Sequence, residues 1–205
     1  MAEYDRQDHY YKQAKLLGFR SRAAFKLKEL NQKHKFIKQG FKIVDLGAWP
    51  GGWMQVCAQI IGPKGVVVGI DLAQIDEFQQ ENVHCIVGDV RDEPNLQTAL
   101  NLAGSKFDVV LSDMSPKLSG IKESDRYTTV AVAELALWAC QPLLKKEGTL
   151  VIKMFKGNES EEFIRTMRKS FSKVSKAQLE STRKTSTEFY VIGFGFKPDT
   201  NAESK

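Results

Sequence analysis

Short apolar runs alternate with longer amphipathic segments along most of the chain from residue 42 onward. Short apolar runs predict buried strands, and apolar residues spaced three or four positions apart predict helices. The predicted strands are Lys42–Leu46, Val66–Ile70, His84–Val87, Phe107–Leu111 and Thr149–Phe155. The predicted helices between them are Trp53–Ile61, Glu93–Leu102 and Arg126–Leu144, with a short turn near Asp76–Gln79. This alternation is typical of a mainly parallel sheet with helices on both faces.

Two strand-like segments follow one another near the end of the chain. A predicted helix, Glu159–Phe171, precedes the segments Lys173–Leu179 and Glu188–Phe196. The connection between those two segments is too short for a parallel crossover, so we expect an antiparallel hairpin. The pattern therefore predicts an α/β protein with a seven-stranded, mostly parallel sheet that ends in this hairpin.

The first part of the chain differs from the rest in charge. Residues 1–42 hold 11 Lys and Arg against 4 Asp and Glu, whereas the remainder holds 19 against 21. Two short basic helices, 10–17 and 22–33, are predicted there, with Gly18 between them and Ser21 as an N-cap. Such a segment is typical either of an arm that binds a polyanion or of a solvated helical face. We predict one domain, with a basic extension (1–40), a catalytic core (41–197) and a flexible tail (198–205).

Several classes of protein are disfavoured by composition. No apolar run is long enough to span a bilayer, and the charged N-terminus lacks the apolar core of a secretory signal. The three cysteines, Cys57, Cys85 and Cys140, form no Cys-x-x-Cys pair, and the three histidines are equally scattered. We therefore expect reduced thiols, no metal site and a monomer in the cytoplasm.

A glycine-rich loop, residues 45–53, links the first strand to the first helix of the sheet and reads Asp-Leu-Gly-Ala-Trp-Pro-Gly-Gly-Trp. Open α/β sheets bind ligands at this edge, and glycines let the backbone approach a ligand closely. The spacing differs from Gly-x-Gly-x-x-Gly, and no Gly-Lys-Ser/Thr follows, which disfavours a pyrophosphate site. For this loop alone, a turn without a ligand remains an alternative. Trp49 is unexpectedly bulky for such a loop.

Aspartates occur at the ends of the first four predicted strands: Asp45, Asp71, Asp89 and Asp113. Asp71 is placed to accept hydrogen bonds from two ribose hydroxyls, and Asp89 is placed to meet an adenine amino group. Clustered carboxylates are costly unless a ligand or partner satisfies them. Four of them at one edge of the sheet favour a ligand site over chance.

Lys153 lies in the fifth predicted strand, where alternation puts it on the same face as Val151 and Phe155. Loss of solvent lowers the pKa of a lysine and favours the neutral amine, which can accept a proton. The alternative is a lysine whose ammonium extends from the strand end to water. Glu188 opens the last strand and is weak evidence on its own.

Five segments carry a resemblance to a known family: residues 21–27, 45–53, 112–116, 151–155 and 186–190. From about Tyr11 to Pro198 the chain resembles the FtsJ/RrmJ family of ribosomal RNA 2′-O-ribose methyltransferases, bacterial type. The resemblance implies a Rossmann-like methyltransferase fold and S-adenosylmethionine as cofactor. It implies a catalytic tetrad of Lys26, Asp113, Lys153 and Glu188, in which Lys153 is the proton acceptor. The implied cofactor contacts are Gly51, Trp53, Asp71, Asp89 and Asp113. Ser115 and Lys117 depart from the usual bacterial residues.

The resemblance also implies an RNA substrate, with a uridine of large-subunit (23S) ribosomal RNA in the assembled subunit as the first choice. We predict that basic residues of the extension contact RNA phosphates, namely Lys12, Lys15, Arg20, Arg22 and Lys28, together with Lys33, Lys35 and Lys38. Tyr10, Tyr11 and Phe19 are candidates for stacking on bases, although a core position suits Phe19 better.

Other functions stay open to different degrees. A transfer RNA 2′-O-methyltransferase and a non-catalytic RNA-binding ribosome-assembly factor are the two alternatives. Amino-directed base methylation is disfavoured because residues 112–116 do not form an Asn/Asp-Pro-Pro-Tyr/Phe turn. Carbon-5 methylation is disfavoured because it needs a nucleophilic cysteine, commonly in a Pro-Cys pair, which this chain lacks.

Overall fold

A computed structural model describes residues 9–115, 122–182 and 186–199, with only the backbone described over 122–127. The helices are α1 (His9–Leu16), α2 (Ala23–His34), α3 (Gly52–Ile61), α4 (Glu93–Ala103), α5 (Lys122–Leu143) and α6 (Asn158–Ser170). The strands are β1 (Lys42–Leu46), β2 (Val66–Asp71), β3 (Val83–Val87), β4 (Phe107–Ser112), β5 (Leu144–Phe155), β6 (Phe171–Ala177) and β7 (Glu188–Phe196).

The strands form one seven-stranded sheet in the order β3-β2-β1-β4-β5-β7-β6. Pairing is parallel from β3 through β5, whereas β7 runs antiparallel to both of its neighbours, β5 and β6. The predicted parallel sheet with a terminal antiparallel hairpin is therefore confirmed.

Each face of the sheet has its own apolar core because successive side chains of a strand point to opposite faces. Val44 and Ile152 pack with residues of α4, α5 and α6, whereas Ile43 and Val151 pack with residues of α2 and α3. The α3 helix is apolar over most of its length, with Met54, Val56 and Cys57 among its buried residues. The predicted helices on both faces are thus present.

Several predicted boundaries are wrong, each for a local reason. β5 begins at Leu144 rather than Thr149, because it continues through the polar residues 145–147 and pairs there with β4 in an irregular register. The region Asp76–Gln79 contains no regular helix or turn, although a turn begins directly after it. Arg22 rather than Ser21 is the N-cap of α2, and it makes no side-chain cap.

Smaller differences occur around the last two strands. β6 spans Phe171–Ala177 rather than Lys173–Leu179, so α6 ends before Phe171. Within the described ranges, no helix combines the length and the apolar character that a membrane crossing requires. Lys117 and the tail beyond residue 199 lie outside the described residues.

Candidate active site

The carboxyl ends of the parallel strands border a cavity of about 760 Å³. This volume is within the range of small-molecule sites in proteins. Asp71 comes from the end of β2, Asp89 follows β3, and Asp113 follows β4. On the opposite wall, α5 contributes the apolar side chains of Ala131, Val132 and Leu135. A cavity with one apolar wall and a row of carboxylates suits a ligand that is partly apolar and carries hydroxyl, amino or cationic groups.

Asp71 is fixed by the loop that precedes α3. Its two carboxylate oxygens accept hydrogen bonds from the backbone amides of Trp49 and Ala73, at 2.9 and 2.8 Å. Each carboxylate oxygen has further lone pairs, so Asp71 can still accept hydrogen bonds from a ligand. The loop itself is shaped by Gly47, which has φ of 72° and lies against Met114, where a Cβ would collide.

Asp89 is held at the other end of the cavity by Arg91. The Arg91 guanidinium donates hydrogen bonds to both carboxylate oxygens, with Nε 3.0 Å from Oδ1 and 3.0 Å from Oδ2. This pairing keeps the pKa of Asp89 below its usual range, so the carboxylate is charged at neutral pH. A charged carboxylate at this position accepts hydrogen bonds from an amino group.

Asp45 is the most deeply buried carboxylate at this edge, with 1% of its surface exposed. Neither of its oxygens has a hydrogen-bond partner among the described residues. Burial, followed by the charges of Asp113 and Asp71, raises its pKa well above the usual value. It borders a cavity of about 20 Å³ together with Gly47, Trp53 and Asp113. A cationic ligand group placed nearby would relieve the cost of this unsatisfied carboxylate.

The four residues of the implied tetrad meet beside the large cavity as two ion pairs. Lys26 Nζ lies 2.7 Å from Glu188 Oε1, and Lys153 Nζ lies 3.2 Å from Asp113 Oδ1. Lys153 also donates a hydrogen bond to the backbone carbonyl of Asp113, at 2.5 Å. All four side chains are largely buried, with 19% exposure for Asp113 as the highest value. The structure therefore brings together residues that are up to 162 positions apart in the chain.

Tyr190 joins the two pairs, and the sequence analysis assigned it no role. Its hydroxyl donates a hydrogen bond of 2.9 Å to Asp113, and Lys26 Nζ lies 5.9 Å from its ring centre. Burial, followed by the charges of Asp113 and Glu188, raises its pKa well above the usual value and keeps the phenol protonated. The sequence could have indicated a role for Tyr190, because alternation along a strand places it on the same face as Glu188.

Two of the implied cofactor residues occupy a different position from the other three. Gly51 and Trp53 are absent from the described lining of the large cavity, whereas Asp71, Asp89 and Asp113 belong to it. The Trp53 indole is buried, donates a hydrogen bond of 2.8 Å to the Ala23 carbonyl and packs 5.8 Å from the Tyr190 ring. The contacts of Trp53 thus link the cofactor loop to α2.

The basic residues expected to bind RNA include some that border a surface depression and others whose side chains contact the core. Lys12 and Lys15 border a shallow depression on α1 with Tyr11 and Leu16. Arg20 instead donates hydrogen bonds of 2.7 Å to the carbonyls of Asp76 and Glu77, and it stacks on Phe78.

Arg22 donates a hydrogen bond of 2.8 Å to the carbonyl of Ser181. Lys28 lies over the ring of Phe19, which is buried. The guanidinium groups of Arg20 and Arg22 therefore also connect the basic extension to the core.

The fold and the site define the class of Rossmann-like methyltransferases. A solved structure described as a ribosomal RNA methyltransferase from Plasmodium falciparum matches with a TM-score of 0.75 and 27% identity. The match covers 88% of this chain and 100% of that one. Aeropyrum pernix fibrillarin, solved with bound S-adenosylmethionine, has a TM-score of 0.55 at 14% identity and covers 77% of this chain and 68% of its own. That second likeness concerns the fold alone.

The chain belongs to the FtsJ-like methyltransferase family, whose model matches residues 19–196. A relative from Methanobrevibacter smithii, named ribosomal RNA large subunit methyltransferase E, is 41% identical over 200 residues. That alignment covers 98% of this chain and 95% of the relative. A relative of the same name from Methanocaldococcus jannaschii is 42% identical over 190 residues, or 91% of this chain and 78% of the relative. The family resemblance seen in the sequence is confirmed.

Proposed function

We propose that this protein transfers a methyl group from S-adenosylmethionine to the 2′-hydroxyl of a ribose in RNA. The supporting observation is the pair of buried lysine–carboxylate contacts, Lys26 with Glu188 and Lys153 with Asp113, joined by Tyr190 beside the large cavity. A methyltransferase that modified carbon 5 of a base would need a nucleophilic cysteine. The free cysteines Cys57 and Cys140 are buried and Cys85 is partly buried, and burial raises the pKa of each thiol.

The row of carboxylates fits the cofactor in polarity and order. Asp71 would accept hydrogen bonds from the cofactor ribose, and Asp89 would accept one from the adenine amino group. The unsatisfied carboxylate of Asp45, in the small cavity that it shares with Gly47 and Asp113, would be stabilised by the positive charges of the bound cofactor. When bound, S-adenosylmethionine supplies a methyl group on a sulfonium, which is already electrophilic. The residues of the chain therefore need mainly to align the acceptor.

The tetrad aligns the acceptor hydroxyl and receives its proton. Lys153 is the residue that takes the proton from the 2′-hydroxyl as the hydroxyl oxygen bonds to the methyl carbon and the bond between that carbon and the cofactor sulfur breaks, which would leave a neutral thioether. Asp113 holds Lys153 through both its carboxylate and its backbone carbonyl, and Tyr190 holds Asp113. Glu188 holds Lys26 in the same region. The ammonium of Lys26 can orient the ribose or the adjoining phosphate there.

Large-subunit ribosomal RNA is the proposed substrate, with a uridine of the 23S molecule in the assembled subunit as the acceptor. The names of the Methanobrevibacter smithii and Methanocaldococcus jannaschii relatives support this choice. The excess of basic residues in the extension supports a polyanionic partner of some size. We propose further that the protein is a monomer with one domain and that it works in the cytoplasm. The free cysteines agree with a reducing compartment.

The test is transfer of a labelled methyl group from S-adenosylmethionine to large ribosomal subunits purified from cells that lack the gene. We expect the wild type to label one ribose of the large-subunit RNA, and we expect Lys153→Ala to reduce kcat by at least about 100-fold. Lys106→Ala is the matched control, because Lys106 is also partly buried and bound to a carbonyl, that of Gln141. Label on transfer RNA offered in a parallel reaction with none on the subunits, or binding without transfer by the wild type, would contradict the proposal.

A further inference from the structure

A second groove lies at the opposite edge of the sheet, where the parallel strands begin. It has a volume of about 450 Å³. Its walls come from the end of α2, the segment that leads into β1, the start of β5 and the end of β7. α2 has 12 residues, so at about 1.5 Å per residue its two ends are about 18 Å apart. Lys26, a member of the tetrad, lies near one end of α2, and His34 lies at the other end, in this groove.

The groove is basic. Four lysines line it, namely Lys35, Lys38, Lys145 and Lys146, against the two carboxylates of Asp108 and Glu147. Lys145 is paired with Asp108 at 2.7 Å, which neutralises one charge of each sign. Lys35, Lys38 and Lys146 are exposed, and Lys173 adds a further ammonium 5.9 Å from the Phe194 ring. The groove therefore offers more positive than negative charge to a ligand.

Aromatic rings lie between these lysines. Phe41 and Phe194 line the groove and are only partly buried. The ring of His34 lies 6.5 Å from that of Phe194. Burial, followed by the charges of Lys33 and Lys173, lowers the pKa of His34, so its imidazole is neutral at pH 7. Neutral aromatic faces among ammonium groups suit stacked bases joined by phosphates.

We propose that this groove, bounded by His34, Lys38, Lys146 and Phe194, is a second RNA-binding site that holds a strand flanking the methylated nucleotide. The proposal rests on the proposed function, since the same RNA would occupy both edges of the sheet. Phosphates lie on the lysines, and a base packs against the exposed part of Phe41 or Phe194. α2 connects the two sites directly, so an RNA that follows this helix passes from the tetrad to the groove.

The test compares two charge reversals of equal size. Lys38→Glu with Lys146→Glu alters the groove, whereas Arg165→Glu with Arg168→Glu alters exposed positions on α6. Affinity for a large-subunit RNA fragment of about 50 nucleotides is measured as a function of salt. We expect the groove variant to bind roughly tenfold more weakly at low salt, with a logarithmic salt slope smaller by about 0.7 to 0.9 per lysine. The α6 variant should keep the wild-type slope.

Further measurements separate the outcomes. Affinity for S-adenosylmethionine should stay at the wild-type value in the groove variant, because the cofactor cavity lies at the other edge. If the reversals unfold the protein, Lys38→Gln with Lys146→Gln provides the same test with a smaller effect. A groove variant that binds the RNA fragment like the α6 variant would overturn the proposal, and a defect seen with intact subunits only would assign the groove to an acidic protein. Failure of the proposed function would appear separately, as no methyl transfer by the wild type.

Discussion

Asp45 carries a buried carboxylate for which the described residues supply no hydrogen-bond donor. Because its pKa is raised in the folded protein, its ionisation opposes folding. The associated loss of stability begins as the pH rises through the unfolded value near 3.8 and increases up to the folded pKa. A bound cation would offset this cost, so Asp45 connects cofactor binding to stability.

Replacement of this carboxylate should therefore have opposite effects on stability and binding. We expect Asp45→Asn to raise the free energy of unfolding at pH 7 by about 1 kcal/mol, with little gain at pH 4. The same variant should bind S-adenosylmethionine at least about tenfold more weakly, because the charge on the carboxylate is lost. Urea unfolding and calorimetric titration measure the two effects. Asp92→Asn, which alters an exposed carboxylate, should change neither.

Trp49 is the bulky loop residue for which the sequence offered no explanation. It lines the large cavity and is 59% exposed, while its backbone amide binds Asp71. An indole at this position can cover the bound cofactor at the entrance of the cavity. We expect Trp49→Ala to raise the KM for S-adenosylmethionine about tenfold, which corresponds to about 1.4 kcal/mol of lost contact. Trp138→Ala is the matched control, because Trp138 on α5 is similarly exposed, at 48%. Equal KM values for the two variants would contradict this role.

At the scale of elements, the sequence predicted the strands whose apolar residues form continuous runs. β1 and β4 are examples, because burial on both faces leaves mainly apolar residues, interrupted between the strand ends only by Asp45 in β1 and Asp108 in β4. The start of β5 lacked that signal, since Lys145, Lys146 and Glu147 are polar although they join the strand. Glu147 has a left-handed backbone with φ of 65°, and no propensity of glutamate indicates this. The basic groove therefore could not be found from periodicity.

The candidate site was predictable in the same uneven way. Carboxylates at strand ends were expected to meet because parallel strands end at one edge of the sheet. The contacts that hold the basic extension were not predictable, since Arg20 meets carbonyls 56 and 57 positions away in an irregular segment. The charge pattern alone predicted that Arg20 and Arg22 contact RNA phosphates. Their positions against the core depend on tertiary packing, which has no local pattern.

At the scale of the whole molecule, α2 joins the basic extension to the connection between β6 and β7. The Glu29 carboxylate accepts hydrogen bonds from the backbone amides of Glu180 and Ser181 and from the Ser181 hydroxyl, at 2.9 to 3.1 Å. One turn earlier in α2, Lys26 binds Glu188 after the same connection. Burial opposes ionisation of Glu29, but hydrogen bonds from Lys33, Glu180 and Ser181 outweigh it and lower its pKa. Folding thus favours the charged form of this side chain.

The loss of Glu29 should therefore disturb both stability and catalysis. Glu29→Ala leaves two amides and a hydroxyl without their acceptor, so we expect it to cost about 2 kcal/mol of unfolding free energy at pH 7. Since the folded pKa is lowered, the part of the wild-type advantage that depends on the charge of Glu29 should be complete above the unfolded value of 4.5 and be lost as the pH falls through the folded pKa. Urea unfolding at several pH values measures this change. Lys33→Ala, which removes only the exposed partner of Glu29, should cost no more than about 0.5 kcal/mol.

A fall in kcat for Glu29→Ala, with cofactor affinity retained, would show that α2 positions Glu188 through this connection, whereas an unchanged kcat would limit Glu29 to folding.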